Sequence, residues 1–176
     1  SALVMDMLTF SKEREPDLRP ANLNRVVNDV VELAQVRASE MHVELAVHLA
    51  EPMPELVFDP EGIHHAVLNV VSNALDAVAD RSEGGKVEVQ TEYDGTYARI
   101  YVRDNGPGIP PEEMKNLFRP FVSTKGTRGT GLGLPVSQKI VVEHGGRIHV
   151  QTHPGQGSCF TMELPAVFPL TSSPPK

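Results

Sequence analysis

Helical and strand-like spacings alternate along this chain. In residues 2–14, Leu3, Val4, Met7 and Leu8 fall on one helical stripe, with Asp6, Lys12 and Glu13 off it. This is the pattern of a helix end seeking a partner helix, or of a helix packed on its own domain. Pro16 and Pro20 then break helix twice, so 16–20 reads as a hinge. Helical spacing returns from Asn24 to Glu40 through Val27, Val30, Val31 and Ala34. At 42–49 the period becomes two: Val43, Leu45, Val47 and Leu49 alternate with His42, Glu44, Ala46 and His48. That predicts a half-buried strand with its histidines solvated on the other face.

Asp59-Pro60 starts the next helix, with a carboxylate to cap it and a proline at the first helical position, where its missing N–H costs nothing. The spacing carries this helix to about Asp80. Strands follow at about 86–92 and 97–104, joined by a turn at Asp94-Gly95. A Pro/Gly-rich stretch with a short helical segment near 112–117 precedes a helix over about 133–144, which stops at Gly145-Gly146. Two last strands, about 147–152 and 158–164, are joined at Pro154-Gly155-Gln156-Gly157, and 166–176 reads as a disordered tail. The strand pairs at 86–104 and 147–164 are connected too tightly for parallel crossovers. The expected fold is therefore α+β: a two-layer α/β sandwich with a mixed, mostly antiparallel sheet and helices on one face.

Composition narrows the function. A chain of 176 residues with 40% hydrophobic content suits one core of its own, placed here at 21–165. A net charge of −7 with no Lys/Arg run argues against a nucleic-acid binder. Cys159 is the sole cysteine, so no intrachain disulfide or cysteine-based metal site forms, which fits a reducing compartment. No apolar stretch is long enough to span a bilayer, and no membrane contact is expected of this chain.

The helix from Pro60 carries two stripes: Ile63, Val67, Val70, Ala74 and Val78 for the core, and His65, Asn69, Asn73 and Asp76 on another face. Asparagine offers an oxygen to a hard cation and an amide to a phosphate, although an exposed helix face carries asparagine equally well. In the strand 97–104, Asp104 continues the parity of Ala98, Ile100 and Val102, which aims its carboxylate at the core side. A buried carboxylate needs partners, and the exocyclic amine of an adenine would serve. Gly106-Pro107-Gly108 then allows backbone to approach a flat ligand. The long segment to Gly129 has the length of a functional lid. Gly129-Thr130-Gly131-Leu132-Gly133-Leu134 offers N–H groups and a helix N-terminus to phosphates, without the Lys-Ser/Thr of a P-loop.

These four elements resemble the catalytic domain of sensor histidine kinases, in the wider superfamily of gyrase, heat-shock chaperone, histidine kinase and mismatch-repair ATPases that share the Bergerat fold. The matching motifs are the asparagine box Asn69-Val70-Val71-Ser72-Asn73-Ala74, the first glycine box Asp104–Ile109, the phenylalanine box Phe118-Arg119-Pro120-Phe121, and the second glycine box Gly129–Leu134. The resemblance implies ATP with Mg²⁺ as cofactors and Asn73 as the Mg²⁺ residue. Asn69 would assist at the phosphates, Asp104 would pair with the adenine amine, and Gly106, Gly108 and Ile109 would shape its pocket. Phe118 and Phe121 would dock the lid, while Gly129, Thr130, Gly131, Leu132 and Gly133 would sit against the phosphates. Lys125 matches a lid lysine of the nitrogen-regulation type and would neutralise the γ-phosphate; it reads equally as a solvated lysine. His65 stands where the family often has glutamine.

Hydrolytic relatives carry a glutamate four residues before the Mg²⁺ asparagine, where it acts as general base; Asn69 cannot take a proton. The resemblance thus implies phosphoryl transfer to a histidine elsewhere. None of the seven histidines here has the family's His-acid…Pro helical pattern, and 1–15 resembles the end of the second helix of a dimerisation and histidine phosphotransfer hairpin. Implied partners are that hairpin, in a homodimer of the full-length protein, and a response-regulator receiver domain. The implied location is cytoplasmic, on a full-length protein with or without a membrane anchor. The alternatives are an ATPase of the same fold that drives conformational change, and a nucleotide-binding interaction module.

Overall fold

A computed structural model gives the fold; it describes residues 15–81, 83–120 and 133–166. Along the chain these form β1 (Arg19–Ala21), α1 (Leu23–Glu40), β2 (Glu44–His48), β3 (Leu56–Phe58), α2 (Pro60–Ala77), β4 (Lys86–Tyr93), β5 (Tyr97–Asp104), α3 (Pro111–Met114), α4 (Gly133–Glu143), β6 (Arg147–His153) and β7 (Gly157–Pro165). The helix expected over 2–14 lies outside the described residues, as does the tail from 167.

Local chemistry sets the helix ends. Asn22 caps α1 by accepting from the Arg25 amide at 3.3 Å, and Asp59 caps α2 by accepting from the Gly62 amide at 3.2 Å. At its C-terminus α1 closes with the Val43 amide on the Ala38 carbonyl and the His42 amide on Ser39, while His42 itself takes φ 58°. His42 therefore belongs to the helix stop, and the strand begins two residues later than its alternation suggested. The Gly145-Gly146 stop of α4 repeats this geometry, with Gly145 at φ +80° and the Gly146 amide on the Val141 carbonyl. Helix α2 ends at Ala77 because residues 78–81 wind more tightly: Val78, Ala79 and Arg81 each donate three residues back.

The main sheet runs β2-β4-β5-β7-β6, with β2 parallel to β4 and every other pair antiparallel. Its inner face carries Val87 and Val89, Ala98, Ile100 and Val102, and Phe160, Met162 and Leu164, all buried. Helices α1, α2 and α4 cover that face, closing the core with Val27, Val30, Val67, Val70, Val136 and Val141. The opposite face is polar: Glu163 accepts from Arg99 at 2.8 Å and from Arg147 at 2.9 Å, and Tyr101 donates to Glu92 at 2.7 Å. One covered face and one solvated face make the expected two-layer sandwich.

A second sheet is unannounced by periodicity. Arg19–Ala21 pair antiparallel with Leu56–Phe58, so Arg19 and Pro20, read above as hinge, form a strand against the body of the domain. Three-residue strands are too short to show a period. Ala166, first residue of the expected tail, donates its amide to the Thr96 carbonyl at 2.8 Å.

Candidate nucleotide site

Asp104 ends β5 on the inner face and is 8% exposed. The Gly106 amide donates to its Oδ1 at 2.9 Å. Burial pushes its carboxyl above the ordinary aspartate value, and the amides of Gly106 and Ser158 pull the other way. Such a group stays on a fold at some cost to stability, which fits a carboxylate kept for a ligand.

The loop after Asp104 is pinned from both sides. Asn105 accepts from the Lys86 amide at 2.9 Å, donates to the Gly84 carbonyl at 2.8 Å, and gives its own carbonyl to Arg81 at 3.1 Å. A Cβ on Gly106 would stand 2.6 Å from the Ala77 carbonyl oxygen, so the loop lies directly on the end of α2. Gly108 holds φ +81°, and a Cβ there would meet the His153 carbonyl at 2.7 Å. The Gly155 amide reaches the Pro107 carbonyl at 2.7 Å, and Ile109 donates its amide to Thr152 Oγ1 at 2.9 Å. Both glycines are thus required by close backbone approach.

The asparagine helix meets α4 along a row of contacts. Asn69 Nδ2 donates to the Gly133 carbonyl at 3.2 Å, Ser137 Oγ donates to the Ala66 carbonyl at 2.9 Å, and the Asp59 amide donates to His144 Nε2 at 3.0 Å. The last glycine of the second glycine box is thereby held against the first box asparagine, 64 residues away in sequence. Asn73 lies one helical turn further along α2 and is half-buried. Ile109 and Phe118 pack against the core from the segment that follows the loop. Helix α3 is shorter than the 112–117 segment expected, because Asn116, Leu117 and Arg119 each bond three residues back in tight turns.

Phe121, Lys125, Gly129, Thr130, Gly131 and Leu132 lie outside the described residues. The site residues that are described, Asn69, Asn73, Asp104, Gly106, Gly108, Ile109, Phe118 and Gly133, belong to α2, the end of β5 with its loop, the turns after α3, and the start of α4. Sequence reading counted Asn105 in the first glycine box without giving it a role, and missed two participants, Thr152 and Ser158. The signal for both was the turn Pro154–Gly157, since Gly157 takes φ +104° and a Cβ there would collide with the Asp104 carbonyl oxygen. The β6–β7 hairpin therefore had to close on Asp104. Among the described residues no group of three His, Cys, Asp or Glu could hold a metal ion, and no helix is long and apolar enough to cross a membrane.

A sandwich with a buried aspartate at one strand end, glycines closing the loop beyond it and an asparagine-bearing helix alongside defines a nucleotide-binding ATPase-like domain. The chain belongs to the family of histidine kinase-, DNA gyrase B- and HSP90-like ATPases, whose model matches residues 58–167. It is 34% identical over 164 residues to the signal transduction histidine-protein kinase AtoS of Escherichia coli K12, covering 93% of this chain and 26% of that protein. The chain thus spans about a quarter of that relative's length. Among solved structures it matches full-length ShkA in complex with AMPPNP, with a TM-score of 0.82 and 30% identity over 95% of this chain and 36% of that one. It also matches the histidine kinase ThkA in complex with the response regulator TrrA, with a TM-score of 0.78 and 30% identity over 94% of this chain and 46% of that one.

Proposed function

We infer that this chain is the ATP-binding catalytic domain of a two-component sensor histidine kinase, which passes the γ-phosphoryl group of ATP to a histidine on a separate helical hairpin. The carrying observation is the buried Asp104 carboxylate, which takes the Gly106 amide at the head of a loop held by close backbone approach at Gly106 and Gly108. An adenine amine donating to Asp104 would compensate its burial, with the base against the closely packed glycine loop. Kinship with AtoS and the structural match to ShkA with AMPPNP support this reading.

Asn73 is the residue that would hold Mg²⁺. Its amide oxygen is a hard donor, and Mg²⁺ commonly takes few protein ligands beside phosphate oxygens and water. Bound there, the ion would neutralise charge on the phosphates. Asn69 would steady the phosphate side through its hold on Gly133, and Lys125, Gly129, Thr130, Gly131 and Leu132 would close over the phosphate chain, Phe121 docking with Phe118. Catalysis on this reading is positioning and electrostatics, because Asn69 stands where a general base would be needed for hydrolysis.

The acceptor lies on another element. Among the seven histidines, His144 is 2% exposed and both its ring nitrogens are engaged, one by the Asp59 amide and one with the Ile140 carbonyl at 2.8 Å. His48, His149 and His153 lie on strands, His42 at a helix stop, and His64 and His65 on α2, where each is followed by a residue other than an acid. A dimeric hairpin continuing from residues 1–15 would present the acceptor, and a response regulator would receive the group next, as the complex of ThkA with TrrA suggests. A cytoplasmic location would go with that partner.

The test is labelled Mg-ATP. The chain should bind it yet acquire almost no acid-labile, base-stable phosphate, and adding a hairpin with an intact acceptor histidine should restore labelling. Strong labelling of the chain alone would overturn the separate-acceptor reading, and rapid phosphate release without protein label would favour an ATPase.

A further inference from the structure

Thr152 Oγ1 stands at the meeting point of three groups. The Ile109 amide donates to it at 2.9 Å, the Gly157 carbonyl lies at 3.2 Å and the Ser158 hydroxyl at 2.9 Å. A threonine hydroxyl has one proton and two lone pairs. The carbonyl can only accept and the amide can only donate, so one assignment satisfies all three contacts. Thr152 gives its proton to Gly157, and Ser158 gives its own to Thr152. The hydroxyl of Ser158 is then committed away from Asp104, its cross-strand partner in the β5–β7 register.

From this arrangement the geometry points to Thr152 as a positioning residue of the nucleotide site: it fixes the Asp104–Ile109 loop through Ile109 and keeps the Ser158 proton from occupying the Asp104 carboxylate. The inference rests on the nucleotide-binding reading and adds a residue outside the motifs that reading draws on. With Thr152 in place, Asp104 receives the Gly106 amide at 2.9 Å and the Ser158 amide, and it retains acceptor capacity for a ligand's amine. In Thr152→Val, nearly the same in volume, the Ser158 hydroxyl loses its acceptor. Directly opposed residues on antiparallel strands stand about 5 Å apart at Cβ, so the released proton is within reach of Asp104. It would then compete with an exocyclic amine, and the Ile109 amide would lose its partner.

Two nucleotides separate this role from simple support of the fold. ADP carries the exocyclic amine; inosine diphosphate has an oxygen in its place and cannot donate there. Calorimetry on the unmodified chain should show a preference for ADP. Thr152→Val should weaken ADP by about ten-fold, the scale of one buried hydrogen bond, and inosine diphosphate far less, so that the preference shrinks. Thr152→Ser, which keeps the hydroxyl, should restore both affinity and preference. Equal weakening of the two nucleotides, or a Thr152→Val chain that binds ADP as the unmodified one does, would overturn the inference. Should the unmodified chain bind neither nucleotide, the nucleotide-binding reading itself fails. A measurement independent of any variant is hydrogen exchange at the Ile109 amide in the empty chain, which should be slow; exchange at the rate of an unprotected loop amide would also overturn the inference.

Discussion

His144 joins the ends of two helices, and replacing it tests how the α2–α4 layer is held. Its ring is 2% exposed, accepting at Nε2 from the Asp59 amide at 3.0 Å and engaging the Ile140 carbonyl through Nδ1 at 2.8 Å. Because a main-chain amide can only donate, Nε2 is the unprotonated nitrogen and Nδ1 carries the hydrogen. His144→Ala removes a buried ring of aromatic size and leaves the Asp59 amide, at the cap of α2, without that acceptor. The orphaned amide costs about 1–3 kcal/mol, and truncation of a large core side chain costs about 2–5 kcal/mol. The two overlap, since the cavity would admit some relaxation, and the expected loss is about 3–4 kcal/mol. That is a large share of the ~5–15 kcal/mol by which domains of this kind are stable. Glutamine extends a side-chain carbonyl to roughly the place of Nε2, so His144→Gln should recover about 1 kcal/mol of the loss. Urea unfolding at pH 8, followed by far-ultraviolet circular dichroism, reads both values. A loss below about 1 kcal/mol for alanine, or a glutamine variant no better than alanine, would refute the argument that this ring bridges the helices.

Two further outcomes depend on pH. The Asp104 carboxyl lies above its ordinary value of 3.8, so the empty fold holds its full contribution below that value and loses it as pH rises through the raised one. A ligand amine favours the ionised form; ADP affinity should therefore climb with pH across that window and level off above it, and Asp104→Asn should bind more than ten-fold more weakly with no climb. Calorimetric titrations at several pH values would show the slope, and equal slopes in both chains would remove Asp104 from the site. Asp94 behaves oppositely: the Tyr97 amide at 2.7 Å, Arg99 and the Thr96 amide hold it down at about 2. The stability it lends is present above the ordinary 3.8 and disappears as pH falls through about 2. The melting temperatures of unmodified and Asp94→Ala chains should differ at pH 6 and converge near pH 2; a constant gap would rule this coupling out.

The elements of this fold were legible in the sequence wherever a local rule governs them. Asp59-Pro60 and Gly145-Gly146 announce a helix start and a helix stop because capping is settled within four residues, and β4 through β7 show because a half-buried strand alternates. The antiparallel strand pairs followed from connection lengths alone. Of the site, Asp104 could be placed from parity, and the glycines beyond it from the need for close approach; family resemblance assigned their roles.

Tertiary structure decided what depends on partners distant in sequence. The β1–β3 pair has three residues a side, too few for a period, and exists because Arg19–Ala21 and Leu56–Phe58 come to lie together. No spacing rule joins Asp59 to His144 across 85 positions, or Ile109 to Thr152 across 43. Their side chains are ordinary in sequence, and the hydrogen bonds exist because packing α4 on α2, and the β6–β7 hairpin on the Asp104 loop, leaves buried donors that must be satisfied. Sequence set the pieces through short-range geometry, while the demand that buried polar groups find partners joined them into a site.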